Sequence, residues 1–490
     1  MKEIGEKKET DKQTELVEKS KIVESKKKIH CSIPKFILKN ELLQKAIKKC
    51  LPENYNFEIY KCIDIILREQ YKNIVLQMPE GLLIWGLYIS DILYFFCNSV
   101  EEVIILGDVT YGGCCIDDFT SEKLNCDLII HYGHSCLVPL TVTRIRCIYV
   151  FVDIKLNSSH LVETIKKNFS PKDIVLILGT IQFSCLVHSV HNILKSENYF
   201  DIFLPIPQVL PLTKGEVLGC TSPNLYRFIY EHIIQKYVEV NQSIHFAQKE
   251  MNEEGNCQDG KSFPKSMSKE HNETFIINEC KNFLRKNNVK IVFIADGRFH
   301  LESLMIHNPD FTFYRYNPFN KIISQEKYNY RLFYEIRKNE IKKCTNCKSV
   351  CIILSTLGRQ GNINILKNIL NIIKQKNISF FILLLPEIFN EKLSLFKNVD
   401  VFIQIGCPRL SIDWGNYNDK PLLNTYEAYV FLKSLKYRDI YPMDYYASMG
   451  NVWTNYNAGI GQMTEKNLST RELIKRRIQM RKSKIAIRYQ

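Results

Sequence analysis

Short apolar runs entered from a lysine and a polar residue recur along this chain: Lys72-Asn73-Ile74-Val75-Leu76, Lys172-Asp173-Ile174-Val175-Leu176 and Lys348-Ser349-Val350-Cys351-Ile352. Each ends in a polar loop, at 77–81, 179–182 and 355–361. Each loop leads into a helix-like segment, then another strand, then a loop in which glycine precedes cysteine. Strand runs alternating with helical patterns predict βαβ units and parallel sheets. The expected fold is therefore α/β, with three similar domains of small parallel sheets flanked by helices. The three are expected to stand in pseudo-threefold array around one central site. In such sheets ligands sit beyond the carboxyl ends of the strands, where all these loops fall.

Other stretches set the boundaries. The apolar segment 82–100 contains Asp91 and Asn98, so it reads as a buried helix and not a membrane span. Residues 1–28 are Lys/Glu-rich and expected to be disordered, and 241–274 is a polar insertion unable to bury enough surface to fold alone. The expected domains are 29–155 with Cys114, 156–343 with Cys220, and 344–455 with Cys407, followed by a basic tail at 456–490.

The three glycine-cysteine loops carry the candidate chemistry. They read Gly112-Gly113-Cys114-Cys115, Leu218-Gly219-Cys220-Thr221 and Ile405-Gly406-Cys407-Pro408. Three thiolates brought together by tertiary folding can hold a [4Fe–4S] cluster by three corners and leave one iron open to a substrate or cofactor. Cys115 beside Cys114 leaves an ambiguity. In an extended loop neighbouring side chains point apart, so one of the pair is expected to face the cluster.

Other cysteine and histidine patterns are not read as metal sites. Cys344, Cys347 and Cys351 have local metal-like spacing, but Cys351 falls in a strand and no second pair follows at zinc-finger distance. His131, His134 and Cys136 crowd one loop too tightly for all three to converge on a metal, which favours supporting or substrate-facing roles. The chain has no Walker loop, no Gly-x-Gly-x-x-Gly fingerprint and no His-Glu-x-x-His helix.

Seventeen cysteines, an odd number and several within apolar runs, argue against a secreted disulfide framework. No apolar segment follows the charged start, so a reducing cytoplasm is expected, with no membrane partner. The net charge of +14 is concentrated in the tail, where 465–490 reads as a solvated helix or disordered segment. No aromatic RNP string accompanies it, so no direct nucleic-acid binding is expected.

Asp296 and Arg298 follow one strand-like run, and Arg359 and Arg409 lie on two further strand-end loops. A zwitterionic amino-acid ligand needs a cation for its carboxylate and an acceptor for its ammonium, and Arg with Asp can supply both. Cofactor contacts are expected at Asp296, Arg298, Thr356, Gly358, Arg359, Gln360 and Arg409.

The strings LQMPEGLL (76–83), GDVTYGGCCIDDFTSE (107–122), HYGHSCLVP (131–139), YVFVDI (149–154), GEVLGCTSP (215–223), DGRFHLES (296–303), TLGRQGN (356–362), CPRLSIDWG (407–415) and YPMDYYA (441–447) resemble the 2-(3-amino-3-carboxypropyl)histidine synthase family of diphthamide biosynthesis. The likeness runs in order from about Cys31 to Trp453 and is closer to the catalytic first subunit than to its paralogous second. It does not cover the polar insertion or the basic tail.

The resemblance implies three α/β domains that each give one cysteine to a single [4Fe–4S] cluster, by motif Cys114, Cys220 and Cys407. It implies S-adenosylmethionine at the open iron, without the C-x3-C-x2-C motif of ordinary radical enzymes, which this chain also lacks. The implied reaction is reductive cleavage at the methionine γ-carbon. The resulting 3-amino-3-carboxypropyl radical adds to C2 of a histidine in translation elongation factor 2, the first step of diphthamide synthesis. No catalytic residue beyond the cluster ligands is implied. The implied partners are the paralogous second subunit in a heterodimer, a small electron-donor metalloprotein and the protein substrate.

Overall fold

The structure is a computed structural model that describes residues 33–108, 110–234, 269–415, 419–448 and 450–456. The tract 1–28, most of the insertion and nearly all of the basic tail lie outside the described residues. The last residues assigned to the insertion, 269–274, open the helix Lys269–Lys286, and Glu273 pairs with Arg438 at 3.2 Å.

Three four-stranded sheets form the frame. The first contains β1 (Asn73–Gln77), β2 (Glu102–Leu106), β3 (Leu128–Tyr132) and β4 (Arg146–Val150), all parallel in the order β2-β1-β3-β4. The second contains β5 (Ile174–Gly179), β6 (Val289–Ile294), β7 (Thr312–Asn317) and β8 (Ile322–Glu326) in the order β8-β7-β6-β5, with β8 antiparallel to β7. The third contains β9 (Ser349–Ser355), β10 (Ser379–Leu385), β11 (Val401–Ile405) and β12 (Leu422–Leu423), all parallel in the order β10-β9-β11-β12. The small parallel sheets flanked by helices are as expected. The interior strands β3 and β11 are buried on both faces, as helix-covered parallel strands must be, and β5 at the edge of the second sheet is buried throughout as well.

The three units are less alike than their sequences suggest. The first and third sheets share one strand order, while the second runs consecutively and closes with an antiparallel hairpin. The cysteines do not occupy equivalent places. Cys114 follows β2, the edge strand, whereas Cys407 follows β11, an interior strand. Cys220 follows a segment joined to β5 by a single bridge, Gly179 to Glu216. The expected strand, helix, strand, cysteine-loop order therefore holds only for the first unit. The third unit uses its longer spacing to insert the helix Asn390–Ser394 and a further strand before its cysteine.

Segment 82–100 forms the helix Gly86–Phe96, preceded by a single tight turn. It buries Ile89, Ile92 and Leu93 but leaves Leu87 and Phe95 largely exposed, at 70% and 69%. This corrects the expectation of a buried helix. Among the described residues no helix is long and apolar enough to cross a membrane. Cys344 is fully buried with its thiol on the Glu340 carbonyl, and Cys351 points into the core from β9. The helix Tyr330–Lys343 packs against the helix Thr425–Phe431 through a fully buried ion pair. There Arg337 bonds Glu427 at 2.6 Å through both Nε and Nη2, and Tyr441 donates to the same carboxylate.

Candidate functional site

The loop carrying Cys114 is a 3₁₀ turn over Gly113–Cys115, not extended chain. A Cβ on Gly113 would stand 2.3 Å from the Ser135 carbonyl oxygen, so only glycine lets the loop press onto the end of the first sheet. A 3₁₀ turn rotates successive side chains by about 120° instead of the near-reversal of a strand. Cys114 and Cys115 are accordingly both buried, with their sulfurs 3.9 Å apart. The expectation that they diverge is overturned.

The three cysteine loops meet. Cys220 is hydrogen-bonded to Cys407, and both are electrostatic neighbours of Cys114. The bond from Cys220 pulls the Cys407 thiol down, helped by the Arg409 backbone N–H and guanidinium, while the same bond and burial push Cys220 up. The contact between Cys114 and Cys115 acts likewise, lowering Cys115 to about 7 and raising Cys114.

The surroundings are donor-rich. Gln360, buried under β9, turns its amide toward the sulfurs of Cys114 and Cys115 at 3.7 and 3.5 Å, and the Thr221 hydroxyl lies 3.7 Å from Cys220. Soft thiolates ringed by N–H and O–H donors are the set that iron–sulfur clusters take. Among the described residues no three His, Cys, Asp or Glu close on one point as a lone metal ion would require.

The arginines expected to meet a ligand carboxylate are engaged within the chain. Arg298 is half-exposed and bonds Glu302, Glu326 and the Lys327 carbonyl. Arg409, buried, is bonded to Asp413, Glu302 and the Phe299 carbonyl and stacks on the Phe299 ring. Arg359 forks onto the fully buried Asp118 at 2.9 and 2.5 Å, stacks on Phe119 and donates its backbone N–H to the Cys114 carbonyl. Gly358, at φ +51°, packs directly on the Cys114–Cys115 backbone. Asp296 and Thr356 are exposed at the ends of β6 and β9. Arg359, Gln360 and Arg409 thus border the thiols, while Asp296, Arg298 and Thr356 do not touch them.

Arg359→Met would strand the Asp118 carboxylate without its cation, and should cost about 3 kcal/mol in urea unfolding. Adding Asp118→Asn should recover most of that loss.

Other residues complete the site without having been singled out. Phe299 fills the gap left by Gly219, where a Cβ would stand 2.1 Å from its ring. The stretch 440–456 straps the three loops together. Tyr445 donates its N–H to the Cys220 carbonyl and its hydroxyl to the Gln360 carbonyl, while Tyr456 bonds the Leu137 carbonyl. Tyr445 and Tyr446 are fully buried against the thiols, and burial raises both phenols far above the ordinary range. The one available signal was the three tyrosines in YPMDYYA.

Glu216 lies four residues before Cys220 and accepts from Ser135 of the first unit and from Thr213. Burial raises its carboxyl to about 7. A folded-state value above the unfolded one means the native chain holds the proton more tightly. Stability should therefore fall as pH rises from about 4.5 to about 7, by up to roughly 3 kcal/mol. Glu216→Gln should flatten that slope and leave the protein more stable than wild type at pH 8.

The chain matches the diphthamide synthesis protein family over residues 78–240 and 225–442. It is 41% identical to 2-(3-amino-3-carboxypropyl)histidine synthase subunit 1 of Debaryomyces hansenii, covering 85% of this chain and 86% of that protein. The same protein of Dictyostelium discoideum is 41% identical over 87% of this chain and 78% of its own length, and that of Saccharomyces cerevisiae is 41% identical over 85% and 84%. In fold the chain is similar to the crystal structure of Dph2 from Pyrococcus horikoshii with a 4Fe-4S cluster. That likeness has a TM-score of 0.54 and 19% identity, and covers 78% of this chain and 92% of the other.

Proposed function

The chain belongs to the diphthamide synthesis protein family, and from that premise we propose that it is the first subunit of 2-(3-amino-3-carboxypropyl)histidine synthase, an enzyme of the first step of diphthamide formation. It transfers a 3-amino-3-carboxypropyl group from S-adenosylmethionine to C2 of a histidine in translation elongation factor 2 by a radical route. The observation that supports this reading is the proximity of the buried Cys114 and Cys220 and the half-buried Cys407, one from each unit.

Cys114, Cys220 and Cys407 would hold a [4Fe–4S] cluster, which when bound supplies the single low-potential electron and an open iron to anchor the sulfonium compound. The chain's own residues position and shield. Gln360 and the Arg409 backbone N–H stabilise thiolate charge, and Tyr445 and Tyr446 with Phe299 exclude water from the sulfurs. Asp296 and Thr356, whose side chains have no partner among the described residues, are the contacts left free for the cofactor's polar groups. Arg298, Gly358, Arg359 and Arg409 act by shaping the loops around it. The enzyme works with a paralogous second subunit and takes electrons from a small metalloprotein.

The test is made on protein purified without oxygen, alone and with its second subunit. Reduction should give a [4Fe–4S]⁺ paramagnetic signal that shifts with S-adenosylmethionine, and carboxyl-labelled cofactor should label elongation factor 2. A preparation that lacks iron in both forms overturns the reading.

A further inference from the structure

Beside the thiols lies a row of imidazoles that the proposed reaction leaves without a role. Gln77 Nε2 donates to the Cys115 carbonyl at 2.9 Å, and Gln77 Oε1 accepts the Asp117 backbone N–H at 3.3 Å. Those two bonds fix the amide's orientation. The Oε1 facing His131 Nδ1 at 3.0 Å is therefore an acceptor, and His131 carries its proton on Nδ1. His131 Nε2 is then a lone pair, and His134 Nδ1, 3.2 Å away, must donate to it. His134 is thus held as the tautomer with a bare Nε2, an atom with no hydrogen-bond partner among the described residues.

The fold places His134 next to two of the cysteine loops. The first and third sheets share a strand order, and His134 stands two residues past β3, as Cys407 stands two residues past β11. Its neighbour Ser135 touches two cysteine loops, with its carbonyl against Gly113 and its hydroxyl on Glu216. His300, an electrostatic neighbour of His134, has a buried Nδ1 with no partner. The residue before it, Phe299, packs on Gly219 and accepts from Arg409 through its carbonyl, so it touches the other two loops. Burial lowers both imidazoles to about 4, so each stays neutral at physiological pH.

We propose that His134 and His300 form the subsite that reads the incoming histidine, with His134 Nε2 accepting the N–H of the target imidazole. The assignment rests on the function proposed above. A neutral imidazole has one N–H and one lone pair, and C2 lies between the two nitrogens. Holding either nitrogen fixes where C2 points, which a radical acceptor needs. A bare, neutral acceptor also selects the neutral imidazole over amines and guanidines, whose charge it would leave uncompensated.

The experiment measures equilibrium binding of elongation factor 2 to the oxygen-free, iron-loaded complex with its second subunit. The pair of ligands is the natural factor and its target-histidine-to-alanine variant; the proteins are wild type, His134→Leu and His134→Gln. His134→Leu should weaken binding of the natural factor about tenfold and have no further effect on the alanine variant, the non-additivity of a direct contact. His134→Gln, whose amide oxygen reaches the place of Nε2, should stay within about threefold of wild type. Iron content, and methylthioadenosine release without elongation factor 2, should be equal in all three proteins. Losses that multiply, unchanged binding by His134→Leu, equal losses in both variants, or iron missing from both overturn the proposal. A wild type that lacks iron or transfers nothing instead overturns the proposed function itself, so the two failures are told apart.

Discussion

Cys407→Ala is expected to fold normally, hold no iron and transfer no 3-amino-3-carboxypropyl group. The side chain makes no capping bond to the helix Pro408–Trp414 that it precedes, so its loss should cost little in stability. Its effect should fall on the cluster. The cluster takes one corner from each of three loops, and a cluster held from two chain segments only loses the constraint that keeps it whole. The fall in transfer should exceed the about 100-fold that loss of a supporting partner costs at a metal site. Iron analysis, the reduced-state paramagnetic spectrum and thermal unfolding together check this. Cys220→Ala should behave the same way. Cys115→Ser should retain iron; if it loses iron while Cys114→Ser keeps it, the corner belongs to Cys115. Full iron and full transfer in Cys407→Ala would end the three-corner account.

Gly358→Ala should damage the same site from the opposite side. Gly358 sits at φ +51°, where a Cβ costs about 1–2 kcal/mol by itself. That Cβ would also stand 2.5 Å from the Cys115 carbonyl carbon, 2.6 Å from its Cα and 2.7 Å from the Cys114 carbonyl oxygen. These are backbone atoms, which cannot swing aside as a flexible side chain would. The contact is also where the Arg359 N–H bonds the Cys114 carbonyl at 2.7 Å, so relief must lift the first unit's cysteine loop off the third unit. We expect a stability loss of roughly 3 kcal/mol or more, together with reduced iron per chain. Gly297→Ala, with nothing within 4 Å of its Cβ and no positive φ, is the matched control and should change neither. Wild-type iron content in Gly358→Ala would mean the two loops need not touch for the cluster to form.

The third sheet shows what the apolar pattern could and could not convey. Val350 to Ile352 announced β9, and the glycine before Cys407 marked a tight approach at a strand end. Nothing local distinguished a cysteine after an edge strand from one after an interior strand, because both are preceded by the same kind of apolar run. Strand order is set by which faces the helices cover, and that made Cys114 and Cys407 inequivalent and left His134 at the position past β3 that matches Cys407 past β11. The arginines were legible as strand-end cations, but their partners were not. Asp118 is 241 positions away from Arg359 in the chain, and no spacing rule connects them.

Local physics therefore determined the elements. Runs of β-branched residues can satisfy their backbone only in covered strands, glycines permit close approach at loops, and thiols placed beyond strands are poised for a shared ligand. Whether those thiols meet, which way Cys115 turns, which arginines are already neutralised and which histidine nitrogen is left bare were decided by the tertiary structure alone. Each of these depends on contacts between segments a hundred or more residues apart. Their energies are set by burial and by the one hydrogen-bond arrangement that leaves the fewest polar groups unpaired, a property of the assembled fold and of no stretch of chain by itself.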